Sequence, residues 1–324
     1  MIRTLALGAA LGLAIPGAVA AGLILSQRPG GPVAEGGLDF TRLSGGAEPL
    51  PLRPVTMRDG AALQVRHVPG PEGAPLLVLV HGSGWHGGQF DGLAAALRGR
   101  ASLLVPDLRG HGAEPVRRGD VDYIGQLEDD LADLIAAFRA PGQKVVMAGH
   151  SSGGGLVVRF AGGPHGGLLD AAVLMAPFLQ HDAPVTRPNS GGWARPLVRR
   201  IIGLSLLNAV GIRALNHLPV IEFAMPRAVL AGPQGHLATC CYSYRLNTSY
   251  APRRSYLRDV AALPPFVLIA GRADEAFVAE GYAPLMSGAS AAGRYILLDG
   301  VGHLDVVDAP ATAAAIEEVL HGLG

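Results

Sequence analysis

The chain has 324 residues, of which 49% are hydrophobic and only 16% charged. That balance excludes a disordered chain, and the length suits one domain carrying an insertion. Lys plus Arg and Asp plus Glu stand at 26 each, so there is no global basic field to hold nucleic acid.

Residues 1–27 open the chain as an exported segment. Thr4 to Gln27 carries no charge, with Arg3 before it and Arg28 after it. A basic start, an apolar run from Leu5 and the small-residue site Ala18-Val19-Ala20 suit a cleavable signal peptide. The run also continues through Gly22-Leu23-Ile24-Leu25 for about 20 residues, enough to span a bilayer as an uncleaved anchor with its N-terminus inside. Either fate exports the rest. The protein is expected to be membrane-anchored with its catalytic domain outside the cytoplasm, or periplasmic or secreted if the segment is cleaved. Residues 28–51, rich in Gly and Pro, read as a linker.

From Leu52 onward, apolar runs of strand length alternate with helical patterns. Pro54 to Arg58 and Ala62 to Val68 predict a hairpin turning at Asp59-Gly60. Leu76 to Val80 is apolar throughout, as a strand buried on both faces would be. Ser102 to Pro106, Val145 to Ala148, Ala171 to Met175, Phe266 to Ala270 and Tyr295 to Leu298 repeat that type. The clearest helix is Tyr123 to Phe138, with Leu127, Leu131, Leu134, Ile135 and Phe138 on one face and Asp122 as its expected N-cap. An antiparallel start followed by alternating strand and helix predicts an α/β fold, a mostly parallel sheet with helices on both faces.

The alternation breaks in residues 181–263, which read as a helical lid inserted between a first core part, residues 52–180, and a second, residues 264–324. Arg199 to Val210 is apolar on most sides, and prolines punctuate the region. Cys240 and Cys241 are adjacent, so they cannot staple distant segments, and they lack the spacing of a zinc site. They read as two small buried hydrophobes; a strained bond between them is the minor alternative.

Four motifs carry chemistry. Gly149-His150-Ser151-Ser152-Gly153-Gly154 follows a buried strand and precedes a helix-like run from Leu156, the setting in which G-x-S-x-G places a nucleophile. The serine there sits on a sharp turn at a helix N-terminus, where developing negative charge is favoured. Its base is expected to be His303, on a glycine-rich loop beyond the last strand; ligand sites of parallel sheets lie at those carboxyl ends. Asp274, just past the strand Phe266 to Ala270, is the expected acid, with Asp182 and Glu275 as rivals. Asp305 and Asp308 read as capping or solvated residues. His81-Gly82-Ser83-Gly84-Trp85 ends the strand Leu76 to Val80. An acyl-transfer site needs backbone donors for an oxyanion, and Ser83 and Ser152 are the candidates. Asp107-Leu108-Arg109-Gly110-His111-Gly112 reads as a structural turn beneath that loop, which makes His111 a weak candidate base.

Together these motifs resemble the α/β-hydrolase superfamily, and more narrowly its monoacylglycerol lipase and lysophospholipase branch, over about Val55 to Leu320. Ser152 stands where methionine or leucine is common in that branch. The resemblance implies the triad Ser151, Asp274 and His303, no cofactor, and a lid above the site. The expected activity is a serine hydrolase acting on a carboxylic ester, a lipid-like monoester above all. The expected partners are such a small-molecule or lipid ester and, through an uncleaved N-terminal segment, the membrane. The same triad also serves amidases, peptidases and C–C bond hydrolases, and a peptidase could use Glu222 to hold a charged amine. A catalytically silent interaction protein on this fold is the third alternative.

Overall fold

In a computed structural model, residues 17–30, 37–38, 40 and 47–323 are described. Their architecture follows from the uninterrupted apolar runs. Every residue of β3 (Leu76–Val80), β4 (Ser102–Pro106), β5 (Val145–His150), β6 (Ala171–Met175) and β10 (Phe266–Gly271) is buried, so both faces of the central sheet are covered. Two strands, β1 (Leu52–Thr56) and β2 (Ala62–Val68), form the antiparallel start, and β11 (Gly293–Leu298) is the far edge. The eight strands run in the order β1-β2-β4-β3-β5-β6-β10-β11. Only the β1–β2 and β2–β4 pairs are antiparallel. The order reverses around β3, and the crevice outside the carboxyl ends of the parallel strands is where such a sheet binds ligands.

Helices α2 (Asp91–Ala96), α3 (Gln126–Phe138), α4 (Ser152–Ala161), α9 (Tyr282–Met286) and α10 (Pro310–His321) belong to the core. Helix α3 starts at Gln126 rather than Tyr123, and Asp122 is not its cap. Gly125 takes the N-cap position with φ of 105°, while the Asp122 carboxylate pairs with Arg117 and accepts from Gln126 Nε2 at 3.3 Å.

The inserted lid is helical but also carries a small sheet that the sequence reading missed. Its helices are α5 (Val198–Ala209), α6 (Arg227–Ala231), α7 (Tyr244–Tyr250) and α8 (Tyr256–Ala261). Between them β7 (Ala194–Pro196), β8 (Pro219–Phe223) and β9 (Cys241–Ser243) form a three-stranded antiparallel sheet. Strands of three to five residues, two of them begun or ended by proline, are too short to display a period of two. The lid is tied to the core by buried charge: Glu128 of α3 accepts from Arg159 of α4 at 2.6 Å and from Arg253, between α7 and α8, at 2.7 Å.

The N-terminal part is not a free tether. Described residues Leu38, Phe40 and Leu50 of the expected linker are buried in the main core. Residues 17–25 form a helix, α1, that lies on α5. Gly203 of α5 permits that contact, since an added Cβ would come within 2.7 Å of Ala20 O and 2.8 Å of Ile24 Cγ1. The first part of the expected signal or anchor, residues 1–16, lies outside the described residues. Among the described residues no helix is long and apolar enough to cross a membrane.

Candidate active site

Strand β5 delivers Ser151 at the carboxyl edge of the sheet, one residue before α4. Its backbone angles, φ 54° and ψ −121°, are outside the ordinary range for a residue with a side chain. The surroundings hold it there: Ser151 N–H donates to Met175 O at 2.9 Å, and Ser151 O accepts from Phe178 N–H at 2.9 Å. The two motif glycines are required by close approach. A Cβ on Gly149 would sit 2.4 Å from Gly153 O, and one on Gly153 would sit 2.1 Å from Val80 O.

Three distant side chains meet here. Ser151 Oγ lies 3.0 Å from His303 Nε2, and His303 Nδ1 lies 2.8 Å from Asp274 Oδ2. The second carboxylate oxygen of Asp274 accepts from Ala276 N–H at 2.7 Å and Phe277 N–H at 2.8 Å, which aims the first at the histidine. Burial pushes the Asp274 carboxyl up, but the facing His303 ring and these N–H groups outweigh it and hold it below its ordinary range. An ionised Asp274 fixes the Nδ1–H tautomer of His303 and leaves Nε2 bare toward the serine. The rival acids stand elsewhere. Glu275 accepts from the backbone N–H of His303 at 2.8 Å, not from its ring. Asp182 is exposed, with Arg254 and His181 each 4.0 Å away. Asp305 accepts from Gly302 N–H at 3.2 Å, which steadies the histidine loop, and Asp308 accepts from Leu93 N–H in the first turn of α2.

Ser83 lines the recess together with Ser151, and Ser152 follows the nucleophile directly. Ser152 opens α4, where N–H groups have no partner inside the helix. Ser83 N–H has no acceptor among the described residues, whereas its neighbours do: Gly82 N–H donates to Gln89 Oε1 at 3.2 Å and Gly84 N–H to Tyr242 Oη at 2.7 Å. The Asp107–Gly112 turn supports this loop from below, for Leu108 N–H donates to His81 Nε2 at 3.1 Å. His111 faces Tyr242, away from Ser151. Cys240 and Cys241 are free and half-buried, so no bond joins them, and burial raises both thiols. Glu222 is buried and engaged by Arg195 and by Gly30 N–H at 3.2 Å.

Several site residues have a role that the motifs do not assign. Gln89 and His150 link the oxyanion loop to the histidine: Gln89 Nε2 donates to His150 Nδ1 at 3.3 Å, and His150 Nε2 donates to His303 O at 2.9 Å. Burial, reinforced by the neighbouring His303, pushes His150 down to about 3, so it stays neutral in that role. Leu38, Phe40, Trp193 and Leu304 wall the recess over Ser151, which has about 210 Å³ including space open to solvent. Trp193 stacks between Phe40 at 4.8 Å and Phe223 at 5.2 Å. One signal was available: the chain has two tryptophans, and both Trp193 and Trp85 touch Phe40 here.

A parallel sheet with a strained serine, a histidine and a carboxylate at its carboxyl end defines a hydrolase. The chain belongs to the Alpha/beta hydrolase family, whose sequence pattern matches residues 77–316. An uncharacterised protein of Mycobacterium tuberculosis is 32% identical over 117 residues, which is 34% of this chain and 33% of that one. A pimeloyl-[acyl-carrier protein] methyl ester esterase of Nitrosomonas europaea is 36% identical over 95 residues, 29% of this chain and 34% of that one. The chain therefore spans about a third of the length of these curated relatives. A soluble variant of the monoglyceride lipase of Saccharomyces cerevisiae, solved with a substrate analogue, shares the fold with a TM-score of 0.64 and 17% identity, over 86% of this chain and 96% of that one.

The folded-state pKa of Asp274 lies below its unfolded value of about 3.9, so its charge contributes stability that is complete above that value and lost as pH falls through the folded one. Denaturant unfolding of wild type and Asp274→Asn across pH should show the widest gap above about pH 4 and a narrowing gap below it. A gap that is constant or grows on acidification contradicts the assigned charge state.

Proposed function

We propose that this hydrolase cleaves carboxylic esters, lipid-like monoesters above all, through an acyl-enzyme on Ser151. The observation that carries the proposal is the unbroken hydrogen-bonded line from Ser151 Oγ through His303 to Asp274, ending under a recess walled in part by Leu38, Phe40, Trp193 and Leu304. Ser151 attacks the carbonyl while His303 takes its proton, and Asp274 holds the resulting imidazolium. The N–H groups of Ser83 and Ser152 receive the oxyanion. The alcohol leaves with the proton from His303, and a water activated by the same ring then frees the acid. The engagement of Glu222 by Arg195 and Gly30 removes the carboxylate that a peptidase would have used for a charged amine.

The site walls suggest how substrate is held. Leu38, Phe40, Leu304 and the ring face of Trp193 line part of the recess, and each buried methylene of an acyl chain gains roughly 0.8 kcal/mol. Beyond the chain length that fills the recess, added methylenes gain nothing. With p-nitrophenyl esters from acetate to palmitate, turnover by the full chain should rise, peak at intermediate length and fall by palmitate. A flat or steadily falling series contradicts an apolar acyl site.

The same reading places the protein outside the cytoplasm, anchored through its uncleaved first segment. Two features favour the anchor over the cleaved alternative. Ala20, at the small-residue cleavage site, is buried with Ile24 against α5, so α1 is part of the folded lid. Val198, Ile202 and Leu206 form an exposed row on α5 at four-residue spacing, with Val19 and Leu25 of α1 also exposed. From Ala183 to Ile221 there is no acidic residue, while Arg187, Arg199 and Arg213 are exposed, as suits an anionic lipid surface. Intact-mass measurement of protein recovered from membranes should give a chain that retains residues 1–20. A mature chain starting at Ala21 selects the periplasmic or secreted form instead.

A further inference from the structure

The oxyanion loop, His81 to Gly84, is held from above by the lid. Tyr250 Oη donates to His81 O, Trp193 Nε1 donates to Ser83 Oγ at 3.1 Å, and Thr239 N–H donates to Gly84 O at 2.9 Å. Gly84 N–H donates to Tyr242 Oη at 2.7 Å. On the core side, His81 Nδ1 donates to Gly82 O at 2.8 Å and Gln89 accepts from Gly82 N–H at 3.2 Å. Between the held amides of Gly82 and Gly84, Ser83 N–H has no partner among the described residues, in a residue only 9% exposed. A buried N–H without a partner is costly, and a slot for an anion is a reason to keep one.

The Tyr242 bond has a direction that can be read from its proton inventory. His111 Nδ1 donates to Arg109 O at 3.0 Å, so its Nε2 is bare and can only accept. Tyr242 therefore donates its hydroxyl proton to His111 Nε2, 2.6 Å away, and presents its lone pairs to Gly84 N–H. Burial keeps both groups neutral, with His111 well below and Tyr242 well above their ordinary values. The chain Gly84 N–H to Tyr242 to His111 to Arg109 O is thus fully satisfied and runs one way. It fixes the peptide plane after Ser83, while the His81 ring and Gln89 fix the groups before it.

We propose that Tyr242 is a positioning residue of the oxyanion hole: its hydroxyl, braced by His111, holds Gly84 N–H and so aims Ser83 N–H at the charge that develops on the substrate. The inference rests on the acyl-enzyme reading above and adds that the lid builds part of the site as well as covering it.

Tyr242→Phe keeps the ring against Phe223 and removes only the hydroxyl. In the full chain, with folding checked by thermal melting, it should lower kcat by about tenfold or more and leave KM within about twofold, as expected when an interaction made only in the transition state is lost. Its preference for an oxygen ester over the matching thionoester should shrink, because sulfur draws less from an oxyanion hole; loss of stability alone does not move that ratio. His111→Leu should act in the same direction, and the double variant should be no worse than the worse single one. If Tyr242→Phe does not fold, His111→Leu decides. Wild-type turnover with kcat and the oxygen-to-sulfur preference both unchanged in the folded variants overturns the inference and leaves the proposed function standing. If wild type turns over no ester, that function falls. The inference is then read from the rate at which a fluorophosphonate modifies Ser151, whose phosphoryl oxygen occupies the same slot. Slower modification of the variants supports it, and equal rates, or no modification of wild type, overturn it.

Discussion

The site depends on one constrained peptide turn. Ser151 keeps its positive φ because Met175 O and Phe178 N–H seize its backbone from β6 and the segment after it. That turn places the hydroxyl above the sheet and starts α4 in the same step, so nucleophile and helix N-terminus cannot separate. The glycines on either side let β5, β3 and α4 close to contact distance, and any side chain there would push the strands apart. The histidine loop and the oxyanion loop are then hung from this fixed point.

What hangs there is a neutral polar network. Burial pushes His81 to about 4 and His150 to about 3, so both rings act as uncharged donor–acceptor pairs with one defined tautomer each. His81 ties its own loop to Leu108, and His150 ties Gln89 to the backbone of His303. Fully satisfied buried networks of this kind specify one geometry, and a transition state gains from donors that need no rearrangement when charge appears. The charge that reaches the nucleophile comes from Asp274 through the ring of His303.

The core was largely legible from the chain because its signals are local. Uninterrupted apolar strands, Asp59-Gly60, and glycines around a serine each act within a few residues, and they located β2 to β6, β10 and the elbow. The order of Ser151, Asp274 and His303 along the chain carried the rest. Legibility failed where tertiary contact decides. Asp122 has the chemistry of a cap, but Arg117 takes its carboxylate and Gly125 takes its place. The lid strands are too short to show a period. Phe40 sits in a stretch with linker composition and owes its place to Trp193 and Trp85, far along the chain. Tyr242, Gln89 and His150 act through partners 158, 7 and 153 residues away, and no window of sequence contains all of those pairs.

The central claim is that a covalent acyl-enzyme forms on Ser151, and the most direct test is to trap it. The full chain would be mixed with an activated ester in excess, quenched in acid within the steady state, and examined by intact-mass and peptide-mass spectrometry. The account predicts one added acyl group, mapped to the peptide containing Ser151 and absent from Ser151→Ala, which should also lose turnover. An acyl group on a different residue, or undiminished turnover by Ser151→Ala, would contradict it.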